Sequence, residues 1–85
     1  MNAYQEKALN LRQEKIVTIA AFTANGNLEK LKTALNEGLD AGLTVSEIRE
    51  ILIQMYAYTG FPRSLNGINT FMNVISERQK KGIED

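Results

Sequence analysis

The sequence predicts a single all-α domain of about four helices that assembles into a homo-oligomer. Three observations predict helices: glycines divide the chain every 16 to 22 residues, apolar residues recur between them with helical spacing, and capping residues follow them. The dividing glycines are Gly26, Gly42, Gly60 and Gly82. A chain of 85 residues forms one domain, residues 1–85, and without cysteine for disulfides it is expected to gain stability by oligomerisation.

The first predicted helix follows a polar segment, residues 1–9, which is expected to be poorly ordered. Asn10 and Gln13 have the spacing of a capping box and predict the start of the helix. The apolar run 16–22 also suits a buried strand, but the neighbouring alanines and the lack of a second strand to pair with favour a helix. Because this helix is apolar nearly all round, it is expected to contact a neighbouring subunit.

Two amphipathic helices are predicted in the middle of the chain. The turn 25–27 ends the first helix and caps the second, which Gly42 closes as its C′ residue, with Leu43 making the hydrophobic contact beyond it. The second helix carries one apolar stripe, formed by Leu28, Leu31, Leu35 and Leu39. Thr44 and Glu47 form a complete capping box at the start of the third helix. The face of the third helix that we expect to be buried consists of Ile48, Ile51, Leu52 and Met55.

The last predicted helix begins at Pro62, because a proline in the first turn loses no hydrogen bond that the helix needs. An apolar stripe is expected to face the core, with Phe71 and Val74 widening it. The stripe consists of Leu65, Ile68, Met72 and Ile75. Gly67 lies inside this helix at a cost of about 1 kcal/mol relative to alanine, which a close approach of a second helix would justify.

The composition excludes several classes of function. Without cysteine there is no thiol nucleophile, iron–sulfur cluster or thiolate metal site, and without histidine there is no Ser-His-Asp triad. Ten basic and ten acidic residues cancel, which argues against binding to nucleic acid or to an anionic membrane surface. No apolar run has the length of a membrane span, and the first residues carry no secretory signal. We therefore expect a cytoplasmic protein with no cofactor and no metal.

The segment 41–62 resembles the carboxymuconolactone decarboxylase family, which has the alkylhydroperoxidase-D-like helical fold. It contains Gly-Leu-Thr at 42–44, Ile-x-Glu-x-Leu at 48–52 and Tyr-x-Gly-x-Pro at 58–62, and residues 15–24 resemble an upstream helix of the family. The resemblance covers residues 10–78. It implies an all-α homo-oligomer, a trimer or hexamer, that acts on small molecules by lactone decarboxylation or thiol-dependent peroxide reduction.

The chain departs from the family where the reactive residues stand. The resemblance places Asn27 and Lys30 at the positions of a Cys-x-x-Cys pair and Ala34 at the position of a histidine. Thr59 stands where some members carry a further cysteine. Thiol peroxidase chemistry is excluded, because no thiolate exists to attack a peroxide. Of the remaining reactions, decarboxylation or lactone isomerisation is favoured, because these need only proton transfer and charge stabilisation.

The polar residues around Gly60 form the candidate site. The residues expected to bind substrate are Tyr58, Thr59, Arg63 and Asn66, with Ser64 beside them. Arg63, in the first turn of the last helix, is suited to hold a carboxylate bidentately, and the helix amides would add partial positive charge. The alternative is that Arg63 pairs with a neighbouring acid and Thr59 satisfies a helix end.

Glu50 and Arg63 are the candidate catalytic residues. Burial of Glu50 at a subunit interface would raise its pKa and let it act as an acid or a base. The alternative is a solvated glutamate that pairs with a lysine or an arginine, because charged residues are seldom fully buried.

Three functions remain open from the sequence. The first is a decarboxylase-like oligomer with a pocket for a small carboxylic acid or lactone. The second is a non-catalytic assembly or accessory module that keeps the fold and has lost the active site. The third, a DNA-binding helix-turn-helix over residues 39–48, is disfavoured because Glu47 and Glu50 oppose a single Arg49 on the would-be recognition helix.

Overall fold

The computed structural model describes residues 2–85, apart from the side chain of Leu9, and it is all-α throughout this part of the chain. Its elements in chain order are α1 (Ala3–Asn25), α2 (Leu28–Asp40), α3 (Val45–Gln54), α4 (Tyr56–Thr59) and α5 (Phe61–Lys80). Because α4 is a single turn that follows α3 directly, the prediction of about four helices is confirmed. Over residues 2–85, no helix combines the length and the apolar character needed to span a bilayer.

The first helix begins earlier than the sequence predicts. Asn2 caps it: its side chain accepts the N–H of Gln5 at 2.8 Å, and the Gln5 side chain accepts the N–H of Asn2 at 3.1 Å. The prediction of a start at Asn10 is wrong, because this reciprocal pair satisfies the free amides at the true helix end. The segment expected to be poorly ordered, residues 1–9, is helical from Ala3, and Met1 lies outside the described residues.

Glycines close α1 and α2 as predicted. Gly26 and Gly42 have positive φ angles of 70° and 99°, a conformation that costs glycine little. After α2, the N–H of Leu43 reaches the carbonyl of Gly38 at 3.0 Å and the N–H of Gly42 reaches that of Leu39 at 3.1 Å. These two bonds are the Schellman pair, and the buried Leu43 supplies the hydrophobic contact that accompanies it.

The core lies where α1, α2, α3 and α5 meet. The leucine stripe of α2 faces it, with Leu31, Leu35 and Leu39 buried, while Leu28 at the start of α2 remains partly exposed. Ile48 and Leu52 of α3 are fully buried, whereas Ile51 and Met55 are only half-buried. The remaining buried apolar side chains are Ile19, Ala34, Leu43, Phe71 and Val74.

Helix α5 is rotated relative to the prediction. Its buried residues are Ser64, Gly67, Phe71, Val74 and Arg78. The predicted core-facing surface is confirmed in part: Phe71 and Val74 are buried, and Ile68 and Ile75 pack half-buried against the core. The prediction is wrong for Leu65 and Met72, which are 40% and 64% exposed and point away from the core.

Close packing at Gly67 explains this rotation. A Cβ atom on Gly67 would lie 3.2 Å from both Leu52 Cδ2 and Thr23 Cγ2, so the predicted close helix approach is confirmed. One turn earlier, the Ser64 hydroxyl donates to the carbonyl of Leu52 at 3.0 Å. A bulky side chain would not fit at position 67 without a shift of these neighbours, because α1 and α3 approach the backbone of α5 there.

Arg78 is the one charged residue among the buried side chains of α5 and holds the end of the chain. Its Nε and Nη2 donate to the two carboxylate oxygens of Asp85 at 2.9 and 3.1 Å. Its guanidinium also contacts Asn36 at 3.2 Å and Asp40 at 3.0 Å on α2. Hydrogen bonding to Asp85 raises the pKa of Arg78 above its ordinary value, so the cluster ties α5 to α2 with a permanent charge.

The capping box of α3 is confirmed, and it gives the stability a pH dependence. The N–H of Thr44 donates to Glu47 Oε1 at 3.0 Å, the Thr44 hydroxyl accepts the N–H of Glu47 at 3.0 Å, and Arg12 Nη2 lies 2.5 Å from Glu47 Oε2. The hydrogen bond from the Thr44 backbone, then that from Arg12, lowers the pKa of Glu47.

Because the folded pKa of Glu47 is lowered, its charge stabilises the fold above about pH 4.3, where an unfolded glutamate is ionised. We expect Glu47→Gln to be less stable than the wild type at pH 7, with the difference vanishing as the pH falls through the folded pKa. Urea unfolding of both proteins from pH 7 to pH 3 measures this. A difference in unfolding free energy that stays constant from pH 7 to pH 3 would contradict the stabilising role of the Glu47 charge.

Candidate functional site

The junction around Gly60 contains a small apolar cleft. Gly60 separates α4 from α5, and Phe61 and Pro62 form the first turn of α5. The cleft has a volume of about 210 Å³ and is lined by Ile53, Tyr56, Phe61, Ser64, Leu65 and Ile68. Of its two hydroxyl-bearing residues, Ser64 already donates to the Leu52 carbonyl, which leaves the Tyr56 hydroxyl and a lining that is otherwise mostly hydrocarbon.

Arg63 points away from this cleft. Its Nη1 donates to the carbonyl of Ala24 in the last turn of α1, and its Nε lies near Gly26. Carbonyls in the last turn of a helix have no partner within the helix, so the guanidinium satisfies one of them. Arg63 is exposed and pairs with no acid among residues 2–85, which leaves its other N–H groups facing solvent.

The other residues predicted for the site lie apart from one another. Glu50 and Asn66 are exposed on α3 and α5, and Tyr58 is 83% exposed on α4. The Thr59 hydroxyl donates to the carbonyl of Met55 at 2.9 Å. This bond agrees with the alternative interpretation, in which Thr59 satisfies a helix end. None of these four lines any described cavity, and no hydrogen bond in the described part of the chain joins two of them. Their role in binding or catalysis stays a prediction.

A second cavity lies between α1 and α2, with a volume of about 480 Å³. Asn27, Lys30 and Ala34, the residues that the resemblance places at the family's cysteine and histidine positions, all line it. The remaining lining residues are Thr18, Phe22, Glu29, Thr33 and Glu37. The α2 residues of the lining follow one another at helical spacing, which is why a single turn-and-helix segment builds one wall.

The charges around the α1–α2 cavity are mixed. Lys30 Nζ lies 5.9 Å from the centre of the Phe22 ring, within the range of a cation–π contact. Glu37 pairs with Lys15 across the two helices at 3.1 Å, while Glu29 has no such partner in the described residues. The cavity therefore offers a small polar molecule the Lys30 ammonium, the Asn27 amide, the Glu29 carboxylate and two threonine hydroxyls beside an aromatic ring.

An open groove of about 490 Å³ runs between α3 and α5. Its walls are apolar except for Arg49, Ser76 and Gln79, and they consist otherwise of Val45, Leu52, Ile53, Ile68, Phe71, Met72 and Ile75. Ile53 and Ile68 also line the cleft at Gly60, so groove and cleft form one continuous apolar surface. We call this the α3–α5 face. It exposes five large side chains, Ile53, Tyr56, Phe61, Leu65 and Met72.

The chain is a small all-α domain whose helices meet at Gly-Leu-Thr and Gly-Phe-Pro segments. It has concave surfaces between α1 and α2 and between α3 and α5. The sequence profile of the carboxymuconolactone decarboxylase family matches residues 1–70. The chain belongs to the carboxymuconolactone decarboxylase family. Comparison with curated proteins gives no match.

Sequence reasoning missed two features of these hollows. Thr18 and Phe22 lie four residues apart on α1 and face the α1–α2 cavity; their spacing was a usable signal, since they share a helix face. Arg49, the one charged residue in the α3–α5 groove, gave no signal, because an arginine on the polar side of an amphipathic helix is ordinary.

Proposed function

We propose that this chain is a homo-oligomeric assembly module of its family, with the α3–α5 face as the contact between subunits. The observation that carries the proposal is the rotation of α5. This helix packs Ser64, Gly67 and Arg78 inward and presents Leu65 and Met72 outward. An exposed apolar surface of this kind marks an interaction site in a small protein.

The energetics support assembly. Full burial of a large apolar side chain stabilises by about 1.5–3 kcal/mol. The five large side chains of the α3–α5 face are each between 40% and 64% exposed. Covering them therefore contributes roughly 1 kcal/mol each, a sum of about 5 kcal/mol per subunit, which is comparable to the lower end of the association cost of about 4–15 kcal/mol.

The residues at the reactive positions support an assembly role over catalysis. Lys30 and Asn27 are poor nucleophiles at neutral pH, and Ala34 transfers no proton. Glu50 and Arg63, the candidate catalytic pair, lie on α3 and at the α1–α5 contact without touching. A reaction on a lactone would need an acid or base and an anion-binding group on the same substrate.

We expect Met72→Lys to weaken self-association at least about tenfold, because a lysine buried in an apolar contact loses its hydration without gaining a partner. Sedimentation velocity over a concentration series measures the assembly. Val17→Lys is the matched control, since Val17 is 67% exposed on α1, outside this face. Dissociation by Val17→Lys but not by Met72→Lys would move the interface to α1, and a monomeric wild type would overturn the proposal.

A second candidate function is the binding of a small carboxylic acid or lactone. The observation that favours it is the α1–α2 cavity, where Lys30 and Asn27 lie beside the Phe22 ring. Arg63, with N–H groups facing solvent at the end of α1, offers an alternative anion contact. Glu50 and Arg63, the residues predicted to carry a decarboxylation or lactone isomerisation, do not line this cavity, so the second candidate is binding without an assigned catalytic pair.

A thermal-shift panel of small carboxylic acids and lactones tests this second candidate. At 100 times its dissociation constant a ligand adds about 2.7 kcal/mol, and each kcal/mol raises the Tm of such a domain by about 4–8 °C. We expect the shift to vanish in Lys30→Ala if the α1–α2 cavity binds, and in Arg63→Ala if the end of α1 does. No shift in the wild type across the panel would count against both sites.

A further inference from the structure

Asparagine stands directly before glycine at two places in the chain, Asn25–Gly26 and Asn66–Gly67. In such a pair the backbone nitrogen of the glycine can attack the side-chain amide carbon of the asparagine. Glycine favours this attack because it has no Cβ to crowd the nitrogen and its backbone turns easily. Both pairs are therefore chemically able to deamidate, and the fold decides which of them reacts.

The reaction needs water and no other partner. The glycine nitrogen gives its proton to solvent and bonds to the asparagine Cγ, the Cγ–Nδ2 bond breaks, and ammonia leaves with a proton taken from solvent. Water then opens the resulting succinimide ring at either carbonyl, which gives aspartate or isoaspartate, and no group is oxidised or reduced. Because the nitrogen must first lose its proton, an amide that is hydrogen-bonded in a helix reacts only when that helix opens.

The fold protects the pair Asn66–Gly67. Both residues lie within α5, which runs without a break from Phe61 to Lys80. Gly67 is buried, and a Cβ atom on it would lie 3.2 Å from atoms of both Leu52 and Thr23. Freeing its amide therefore requires α5 to separate from α1 and α3, an opening that costs a large share of the free energy of unfolding.

The pair Asn25–Gly26 lies where α1 ends, and both residues are exposed to solvent. The Gly26 N–H is shared between the carbonyls of Phe22 and Thr23, and Gly26 has already left the helical conformation, with a φ angle of 70°. The last turn of a helix opens at little cost. We infer that Asn25 is a modification site, converted in solution to aspartate and isoaspartate, whereas Asn66 stays unmodified in the folded protein.

The modification places a negative charge at the C-terminal end of α1, where the helix dipole disfavours an anion. Arg63 lies against the same turn: its Nη1 donates to the carbonyl of Ala24, and its Nε is 3.9 Å from the place of a Cβ atom on residue 26. Its guanidinium forms no ion pair within residues 2–85. Deamidation therefore exchanges an exposed amide for a carboxylate beside an unpaired arginine.

Peptide mapping by mass spectrometry tests the inference on the unaltered protein. The wild type is held at mildly alkaline pH and physiological temperature for several days and then digested with trypsin, which releases residues 16–30 and 64–78 as separate peptides. Fragment spectra locate the exchange of NH2 for OH on individual residues. We expect conversion at Asn25 to be at least about tenfold faster than at Asn66, because the last turn of α1 opens more readily than the buried middle of α5.

Asn27 is the matched control in the same turn, and we expect it to stay unmodified. It is exposed like Asn25, but leucine follows it, and its Oδ1 accepts the N–H of Lys30 at 3.1 Å. In guanidinium chloride that unfolds the chain, the rates at Asn25 and Asn66 should converge, because each then precedes glycine in an open chain. No conversion at Asn25, an equal rate at Asn66 in the folded protein, or a difference that persists in denaturant would each overturn the inference.

Discussion

Replacing Leu35 by alanine is expected to destabilise the fold by about 3–4 kcal/mol. Leu35 is fully buried at the centre of the α2 stripe and packs within the core shared by α1, α2, α3 and α5. Truncation removes buried methyl groups and leaves a cavity that neighbouring helices close only in part. Since a domain of 85 residues has a total stability of roughly 4–13 kcal/mol, this single change removes a large share of it.

Urea unfolding followed by circular dichroism measures the effect at one fixed protein concentration, because self-association would add to the apparent stability. Leu28→Ala is the control: the same substitution in the same helix at a leucine that is 40% exposed. We expect it to cost less than about 1 kcal/mol. Equal losses for Leu28→Ala and Leu35→Ala would show that α2 does not pack as described.

Replacing Arg78 by methionine is the second substitution with a large expected effect, about 2–3 kcal/mol. Methionine keeps the apolar stem and removes the guanidinium, so the Asp85 carboxylate and the Asn36 amide lose their partner. Breaking a buried ion pair by removing one partner typically costs about 3–5 kcal/mol. Here we expect less, because Asp85 lies on a short non-helical segment after α5 and swings into water when released.

A double-mutant cycle with Asp85→Asn isolates the pair. The single variants should each destabilise, and the double variant should lose less than their sum, because the second change removes an interaction already broken. Arg78→Lys, which keeps the charge and loses the planar fork, should fall between the wild type and Arg78→Met. Strict additivity in the cycle would contradict a direct Arg78–Asp85 interaction.

The helix ends of this fold could be read from the sequence wherever a local hydrogen bond decides them. Thr44 and Glu47 cap α3 as predicted, because both partners of the capping box lie three residues apart in the chain. Gly42 and Leu43 close α2 for the same reason. The start of α1 was misplaced at Asn10 because Asn2 and Gln5 offer the same spacing, and the sequence alone does not rank two capping boxes.

The orientation of α5 could not be read in this way. Hydrophobic periodicity assigns the side with Leu65 and Met72 to the core, since burial of apolar area normally dominates. The structure buries Gly67 and Arg78 beside the predicted Phe71 and Val74 and leaves Leu65 and Met72 exposed, because contacts from other helices decide what fits there. These contacts join residues far apart in the chain, and a single sequence does not show them.

The arrangement of the candidate residues around Gly60 could not be predicted for a related reason. Nearness in sequence suggested that Tyr58, Arg63 and Asn66 converge, but Tyr58 lies on α4 and the other two on α5, beyond the helix break at Gly60, and no hydrogen bond in the described part of the chain joins them. Arg63 instead reaches Ala24, thirty-nine residues away in the chain. The cavity between α1 and α2 could be predicted only in part, because helical spacing places Lys30 and Ala34 on one face of α2 but does not show which helix packs opposite them.

The contact at Gly67 also couples the residues that are tolerated at three positions, one each on α1, α3 and α5. A Cβ atom on residue 67 would lie 3.2 Å from atoms of both Leu52 and Thr23, so a larger side chain at 67 is accommodated more easily when one of these neighbours is smaller. Relatives with alanine at this position are therefore expected to carry valine at position 52 or serine at position 23. The residues at positions 23, 52 and 67 should therefore covary among relatives. Relatives that keep this packing are expected to expose the same side of α5.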